Sequence, residues 1–207
     1  MSTPSLTYRH AVNPSRGLAA TGIVFIKLLL ALPHLILINS LNALAVVAAY
    51  IGYFVVAFTG QMPGGLYRFI EIAMQWNART YGWIVGFSDA YPPFEIEPNY
   101  PVGVQMAKPD QPSKGWATAG IFFLKLVVLI PHFIALFIVI VAAVLAVWFG
   151  YFAVLFTGRL PIGIQDFAAG TLQWNQRVLA FLAGITDDYP EFTLSATPQA
   201  GKLTADS

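Results

Sequence analysis

The sequence predicts an all-α integral membrane protein with four transmembrane helices, arranged as two tandem hairpin repeats, each followed by an interfacial amphipathic helix. Three observations support this: the composition, two long apolar blocks and an internal duplication. Of the 207 residues, 57% are hydrophobic and 10% are charged, whereas soluble domains have about 25% charged residues. This composition leaves too little charge to cover a soluble globule, and its high apolar content excludes a disordered chain.

The composition also excludes several functional classes. The chain has no cysteine, so it has no disulfide framework, thiolate metal centre or thiol nucleophile. Its formal net charge of +1 gives no bulk attraction to nucleic acid. Three scattered histidines make no metal cluster, and the sequence has no phosphate loop, zinc-protease motif or nucleophile elbow. We therefore expect that the protein binds no metal or cofactor, has no catalytic residue and is not an enzyme.

Two apolar blocks, residues 18–58 and 116–156, predict the membrane crossings. Each is 41 residues long, about 60 Å as a helix, which is roughly twice the 30 Å hydrocarbon core. Each block therefore fits two crossings. The polar stretch 39–42 (Asn-Ser-Leu-Asn) predicts the turn in the first block, and a turn at 137–140 follows by analogy. The predicted crossings are 18–38, 42–59, 116–136 and 140–157.

A shift of 98 residues superimposes the chain on itself. Residues 17–94 and 115–192 then share 32 identities in 78 positions, far above chance. With two crossings each, the two units have the same orientation across the membrane. The predicted organisation is an N-terminal tail (1–16), repeat 1 (17–94), a proline-rich linker (95–114), repeat 2 (115–194) and a polar tail (195–207).

An amphipathic helix is predicted after each hairpin, at about 64–87 and 162–185. Leu66, Phe69 and Ile70 begin an apolar face with helical spacing, opposite a polar face. Such a helix directly after a membrane exit is typical of one that lies in the headgroup plane. Alternatively, these helices cover the cytoplasmic end of the bundle.

The most specific polar motif is Gln-Trp-Asn-x-Arg, which occurs once in each amphipathic helix. Its tryptophan suits the membrane interface, and its arginine can grip a lipid phosphate through two parallel donors. Alternatively, the arginines pair with Asp89 and Asp187 or cap helix C-termini. The candidate lipid or partner contacts are Gln75, Trp76, Asn77, Arg79, Gln173, Trp174, Asn175 and Arg177.

Each apolar block contains one lysine and, seven residues later, one histidine. A lysine deep in a membrane costs several kcal/mol and is a functional candidate. Lys27 with His34, and Lys125 with His132, lie on shared helix faces and form a candidate polar seam. The seam could hold an anionic headgroup or relay a proton. Alternatively, the lysines snorkel to the headgroups and the histidines bond backbone carbonyls.

Four motifs recur in both halves: Lys-x5-Pro-His, Gly-Tyr-Phe…Phe-Thr-Gly, Gln-Trp-Asn-x-Arg and Asp-x-Tyr-Pro-x-Phe. In these motifs the chain resembles two tandem copies of a bacterial family of integral-membrane proteins, a domain of unknown function (DUF 4389). The resemblance implies a multi-pass membrane protein. It supplies no activity, no catalytic residue and no binding residue.

We expect a non-enzymatic scaffold or accessory subunit that binds membrane lipid, including anionic lipid, or a partner membrane protein or second copy. The alternative is a small transporter or channel subunit that uses the seam, and a lipid-acting enzyme is a weaker third possibility. Apart from Lys27 and Lys125, the charged residues lie outside the apolar blocks. The positive-inside rule then predicts a multi-pass plasma-membrane protein with cytoplasmic N- and C-termini.

Overall fold

The computed structural model describes residues 3–96 and 99–196, so most of the predicted polar tail (197–207) lies outside the described residues. Within the described ranges the chain forms seven α-helices and one two-stranded sheet. In chain order the elements are β1 (Ser5–Thr7), α1 (Arg16–Ile23), α2 (Ile26–Thr59), α3 (Gly64–Ile84), β2 (Gly103–Gln105), α4 (Lys114–Ile121), α5 (Leu124–Val128), α6 (Ile130–Thr157) and α7 (Ile162–Leu182).

The predicted turns within the two apolar blocks are wrong. Helix α2 runs for 34 residues through 39–42, and α6 runs for 28 residues through 137–140. The Ser40 hydroxyl bonds the backbone of its own helix, and the Asn42 amide bonds Asn77 of α3. These polar groups favour turns because they compete for backbone bonds, but here they are satisfied without breaking the helix. Among the described residues, two helices rather than four are long and apolar enough to span a membrane.

Each apolar block breaks earlier instead, between its short first helix and the next one. The breaks lie at 24–25 and 122–123, where Phe25 (φ 62°) and Phe123 (φ 59°) adopt the left-handed conformation. This conformation costs a residue with a side chain about 1–2 kcal/mol. Phenylalanine is not a sequence signal for such a turn, so only the fold reveals the break.

Helix α3 runs antiparallel to α2, since four residues join Thr59 to Gly64 and the far end of α3 places Trp83 beside Lys27. Gly60 ends α2 with φ 74°, a conformation that glycine adopts without strain. Helix α7 contacts α6 in the same way, and α3 and α7 touch each other. The fold therefore has two antiparallel helix pairs joined at its centre.

The first helix of each repeat packs against the other repeat. Helix α1 contacts α6, and α4 contacts α2. Glycines allow these close approaches, because a Cβ on Gly22 would lie 2.5 Å from the Tyr151 ring and one on Gly120 would lie 2.5 Å from the Tyr53 ring. The two repeats are thus reciprocally interlocked.

Strands β1 and β2 pair antiparallel, with Leu6 opposite Val104. These two residues are 98 positions apart, so the pair joins equivalent residues about a pseudo-two-fold axis. The strands fall in the predicted tail (1–16) and linker (95–114), and the structural repeat therefore begins before residues 17 and 115. Strand β1 contacts α7 and β2 contacts α3. The strand that precedes each repeat therefore packs against the amphipathic helix of the other repeat.

The layers separate polar from apolar surface. Helices α3 and α7 are largely buried between the sheet layer on one side and α2 and α6 on the other. The sheet layer exposes Ser5, Arg9, Gln105 and Lys108. Helices α2 and α6 expose large apolar side chains along their length, among them Leu29, Ile36, Val46, Phe58, Ile134, Phe137, Leu145 and Phe156.

Candidate functional site: the lysine clusters and the cavity between the repeats

Both predicted intramembrane lysines are buried inside the protein rather than snorkelling outward. Lys27 is 3% exposed and donates to the hydroxyl of Tyr151 at 3.0 Å. Lys125 is 1% exposed and donates to the Phe181 carbonyl at 2.7 Å. Each ammonium also lies about 5 Å above a tyrosine ring of the other repeat, Tyr151 for Lys27 and Tyr53 for Lys125. The lysines therefore belong to the interface between the repeats.

Both predicted histidines are fully buried in aromatic clusters. Trp76 Nε1 donates to His34 Nδ1 at 3.1 Å, and Trp174 Nε1 donates to His132 Nδ1 at the same distance. Because the indole is the donor, each ring carries its proton on Nε2. Phe94 stacks on His34 with ring centroids 4.0 Å apart. The Gln-Trp-Asn-x-Arg motif and the Asp-x-Tyr-Pro-x-Phe motif of the same repeat therefore both contact the histidine.

The tyrosine of each Asp-x-Tyr-Pro-x-Phe motif also donates a hydrogen bond to the helix backbone beside each proline. Proline cannot continue the backbone ladder and distorts the turn before it. The Tyr91 hydroxyl donates to the Leu30 carbonyl at 2.9 Å, and the Tyr189 hydroxyl donates to the Val128 carbonyl at 3.0 Å. These carbonyls lie three residues before Pro33 and Pro131. Helix α2 continues through its proline, whereas the second repeat starts a new helix there.

Within each repeat, the lysine and the histidine of the predicted seam form hydrogen bonds with different partners. Lys27 bonds Tyr151 while His34 bonds Trp76, and the second repeat has the same separation. The histidine instead joins the tryptophan of the other candidate set. Aromatic rings connect the lysine and the histidine in each repeat: Trp83 and Tyr91 lie between Lys27 and His34. Phe181 and Tyr189 lie between Lys125 and His132 in the same way.

The glutamines of the Gln-Trp-Asn-x-Arg motif hold the sheet onto the helices. Gln75 accepts from the Val104 backbone N–H at 2.9 Å and donates to the carbonyl of the same residue. Gln173 accepts from the Leu6 backbone N–H and donates to the Pro4 carbonyl. Each side-chain amide bonds both a backbone N–H and a backbone carbonyl, as a neighbouring strand would. Its role is therefore to hold the segment that contains β1 or β2 against the helix.

The remaining motif residues differ between the repeats. Asn77 and Asn42 form a reciprocal amide pair, whose shorter bond is 2.7 Å, whereas Asn175 is half-buried and Ile140 stands at the position equivalent to Asn42. Arg79 is buried and donates to the Glu95 carbonyl at 2.8 Å. Arg177 donates to the Ser195 carbonyl at 3.1 Å. Both arginines thus bind backbone carbonyls of the segment that follows their own amphipathic helix.

The predicted arginine–aspartate pairs are not formed. Asp89 accepts from the Ser15 backbone N–H at 2.7 Å, and Asp187 accepts from the Ser113 backbone N–H at 2.6 Å. These serines are the N-caps of α1 and α4. The aspartates therefore anchor the start of each short helix, where a negative charge is favourable.

A cavity of 610 Å³ lies between the repeats, bounded by α2, α3, residues 120–126 and the end of α7. Its mouth is formed by exposed, mostly apolar side chains: Val46, Val47, Tyr50, Ile51, Phe123 and Leu126. Its inner wall is buried and includes Tyr53, Ile70, Ala73, Met74, Asn77 and Lys125. An apolar chamber with a few convergent polar groups is the usual form of a small-molecule site.

The tyrosines in this region are functional candidates that the sequence analysis missed. Tyr151 donates to the Ile84 carbonyl and accepts from Lys27, whereas the buried hydroxyl of Tyr53 has no partner among the described residues. The available signal was the Gly-Tyr-Phe motif, which recurs at 52–54 and 150–152. Its tyrosine was not distinguishable from a core aromatic until the facing lysine was located.

The matches to known proteins concern sequence family only. Within the described ranges, no group of histidine and acidic side chains could hold a metal ion. No curated protein and no solved structure matches the chain. The model of one family matches it twice, at residues 23–95 and 121–193, which confirms the resemblance of the repeated motifs. The chain therefore belongs to the family described as "Domain of unknown function (DUF4389)" and contains two tandem copies of it.

Proposed function

We propose that this chain is a non-enzymatic membrane protein, a scaffold or accessory subunit, that inserts the apolar faces of α2 and α6 into the plasma membrane. The observation that carries the proposal is the separation of surfaces described above. Phe58 and Phe156 are 80% and 76% exposed, and they belong to a continuous apolar face too large for a typical soluble monomer.

The sheet layer supports a particular orientation. Its exposed charged residues, such as Arg9 and Lys108, cannot lie in hydrocarbon without a large cost. The strands are held by Gln75 and Gln173, near the middle of α3 and α7. The sheet layer, with water on its outer side, therefore covers the middle of both helices, and their axes run parallel to the membrane surface. This arrangement agrees with the expected headgroup depth of the two amphipathic helices.

The packing of α2 along α3 favours entry from one side rather than crossing. Near one end of α2, Lys27 contacts Trp83, and at its other end Thr59 leads directly into Gly64. Both ends of α2 thus lie beside α3, at the water boundary. We propose that α2 and α6 dip into the cytoplasmic leaflet and return. This replaces the multi-pass topology and keeps the described ends of the chain on the cytoplasmic side.

A basic rim next to the apolar face supports recognition of anionic lipid. Lys114 donates to the Phe58 carbonyl at 3.3 Å, and Arg16 lies beside Gly158 at the end of α6. Arg16, Lys114 and Arg159 are exposed. Each basic residue near an anionic surface adds about 1 kcal/mol of binding free energy. The rings that lie between the lysine and the histidine of each repeat are aromatic, which favours packing over a polar transport path.

Single-cysteine labelling tests the membrane topology, because the natural chain has no cysteine. Gln105→Cys on β2, Ser40→Cys on α2 and Ile138→Cys on α6 are treated with an impermeant maleimide in sealed right-side-out and inverted vesicles. We expect Gln105→Cys to react only in inverted vesicles, and neither helix position to react in right-side-out vesicles. Labelling after detergent solubilisation is the reactivity control. Reaction of Ser40→Cys from the outside would establish crossing.

Purification in mild detergent, followed by lipid analysis and partner identification, tests the scaffold role. We expect enrichment of anionic phospholipid or a stoichiometric membrane partner. Arg16→Gln combined with Lys114→Gln should lower anionic-lipid enrichment severalfold, whereas Arg68→Gln, which removes a basic residue away from the rim, is the matched control. Recovery of neither anionic lipid nor a partner would contradict the proposal.

A further inference from the structure

The cavity between the repeats opens onto the apolar face of the molecule. Val46, Val47 and Phe123 at its mouth are more than half exposed. If that face lies in hydrocarbon, as the proposed function holds, the cavity is reached by lipid chains rather than from water. Ile70, Ala73 and Met74 line its buried part, which suits an alkyl chain.

The same cavity is bordered by two hydrogen-bond donors with unused capacity. The Lys125 ammonium has three N–H groups, and its one hydrogen bond in the described structure is to the Phe181 carbonyl. The Tyr53 side chain is more than nine-tenths buried, and its hydroxyl has no partner among residues 3–96 and 99–196. A buried donor left unbonded costs about 1–3 kcal/mol. An acceptor oxygen on a ligand would satisfy both groups.

The charge of Lys125 specifies which acceptor fits. Among the described residues, no carboxylate lies within ion-pair distance of its ammonium. Asp187 acts on Lys125 electrostatically, but its carboxylate is bonded to the Ser113 backbone. A buried charge without a bonded counter-ion favours an anionic ligand.

We propose that the cavity binds a long-chain fatty acid. The alkyl chain lies against the inner wall, and the carboxylate accepts hydrogen bonds from Lys125 Nζ and the Tyr53 hydroxyl. The volume of 610 Å³ falls within the range of roughly 300–1,000 Å³ found for small-ligand pockets. A single-chain carboxylate supplies both the apolar length and the negative charge, so the occupant is not a two-chain phospholipid.

The equivalent position in the other half of the molecule carries a larger side chain that is bonded to the protein. Trp148 stands where Tyr50 lines the cavity, and its indole donates to the Ile23 carbonyl at 3.1 Å. The hydroxyl of Tyr151 is bonded to Lys27 and to Ile84. The fatty-acid site is therefore specific to one of the two pseudo-equivalent interfaces.

Photolabelling tests the site in the full-length protein, reconstituted in phosphatidylcholine nanodiscs. Hexadecanoate with a diazirine in the middle of its chain is irradiated with the protein, and the adducts are located by mass spectrometry. We expect adducts on the inner wall, and we expect unlabelled hexadecanoate to compete at least about tenfold better than hexadecanol, which lacks the charge. A diazirine-bearing phosphatidylcholine should leave the inner wall unlabelled.

Matched variants give the site its controls. Tyr50→Trp introduces the residue of the other repeat and should reduce inner-wall labelling about tenfold, whereas Trp148→Tyr should leave it unchanged. Tyr53→Phe keeps the shape but removes one donor, and the apparent affinity for hexadecanoate should fall about fivefold, the effect of one hydrogen bond. Tyr151→Phe is its control and should not change that affinity.

Apart from missing adducts, three results would overturn the fatty-acid site: labelling by the phosphatidylcholine probe as strong as by hexadecanoate, full labelling of folded Tyr50→Trp, or unchanged affinity of Tyr53→Phe. The labelling pattern of the single-cysteine variants tests separately whether α2 and α6 enter the membrane from one side. Missing adducts with an intact cysteine pattern remove the fatty-acid site alone, whereas outside labelling of Ser40→Cys contradicts the embedding even where adducts form.

Discussion

The two lysine clusters use equivalent residues, 98 positions apart, yet they are completed differently. At Lys27 the facing tyrosine hydroxyl both accepts from the lysine and donates to a backbone carbonyl. At Lys125 the ammonium bonds the Phe181 carbonyl instead, and the Tyr53 hydroxyl is left without a partner in the described structure. The first cluster is closed by the protein itself, and the second borders a cavity.

Other contacts repeat faithfully, which separates structural residues from candidate binding residues. The Trp–His bond, the Tyr-to-carbonyl bond beside proline and the Asp–Ser cap occur in both halves. The differences gather around the cavity, where Asn42 and Tyr50 replace the isoleucine and tryptophan of the other half. Duplicated contacts hold the fold, and the asymmetric ones are where a ligand site can arise.

The largest expected effect comes from the interlocking glycines. Gly22→Val should lower the free energy of unfolding by about 3 kcal/mol, because its Cβ would overlap the fixed ring of Tyr151. Gly120→Val should cost a similar amount, because the Tyr53 ring is held between Gly120 and Gly184, where a Cβ would lie 2.5 Å and 2.6 Å from it. Unfolding in one fixed mild detergent measures both. Losses that differ by more than about 1 kcal/mol would show that the two glycine contacts are not equivalent.

The tyrosine hydroxyls sharpen the same comparison. Tyr151→Phe leaves Lys27 without its hydrogen-bond acceptor and should cost about 1–3 kcal/mol of unfolding free energy. Tyr53→Phe removes a hydroxyl that has no partner in the described structure, so in delipidated protein its effect should be near zero or stabilising. A loss at Tyr53 as large as at Tyr151 would indicate a protein partner that the described contacts lack.

The indoles test the part of the comparison that should be symmetric. Trp76→Phe and Trp174→Phe each remove a donor to a buried histidine, at 3.1 Å in both repeats. Each substitution should cost about 1–2 kcal/mol of unfolding free energy. The two losses should agree within about 0.5 kcal/mol, and a larger difference would mean that these clusters are not structurally equivalent.

The smallest effect concerns acid stability at the start of α7, where the N-terminal segment docks. The hydrogen bond from His10 lowers the pKa of Asp166, burial opposes this, and the hydrogen bond from Tyr8 adds to it. A lowered pKa in the folded state adds stability above the unfolded-state pKa, and this stability disappears as the pH falls through the folded-state value. In Asp166→Asn, the free energy of unfolding should therefore fall slightly less as the pH is lowered than it does in the natural protein.

The control for this pH dependence lies in the other repeat, where Arg68 occupies the equivalent position and pairs with Glu71. Arg68→Gln should leave the His10 contribution unchanged. Stability profiles between pH 3 and pH 7 compare the two variants with the natural protein. An unchanged acid limb in Asp166→Asn would contradict the assigned contribution.

The sequence predicted the repeat and its motifs well, but not how they connect. The family match confirms the tandem units, and α3 and α7 begin at residues 64 and 162, the predicted starts of the amphipathic helices. The turn at Asn39–Asn42 was wrong because those polar groups are satisfied within α2 and by α3. The break at Phe25 was missed because its left-handed backbone carries no residue-type signal.

The sequence singled out the lysines and histidines as candidates but not their partners, and whether they form a functional site stays a prediction. The sequence left open whether Lys27 faces inward or snorkels, and helical periodicity alone placed it on one face with His34 and so suggested one seam. Their actual partners, Tyr151 and Trp76, lie 124 and 42 residues away. Such contacts depend on which helices pack together, and local patterns do not encode that choice.

The amino-acid sequence by itself determined that the chain is duplicated and dominated by apolar helices, because identity at a fixed shift and hydrophobic length are properties of the chain alone. Tertiary structure decided that the two units interlock, that both lysines face inward, and that only one of the two lysine sites borders the cavity. These depend on differences between nearly equivalent interfaces, where Tyr50 lines the cavity in one half and Trp148 donates to the Ile23 carbonyl in the other.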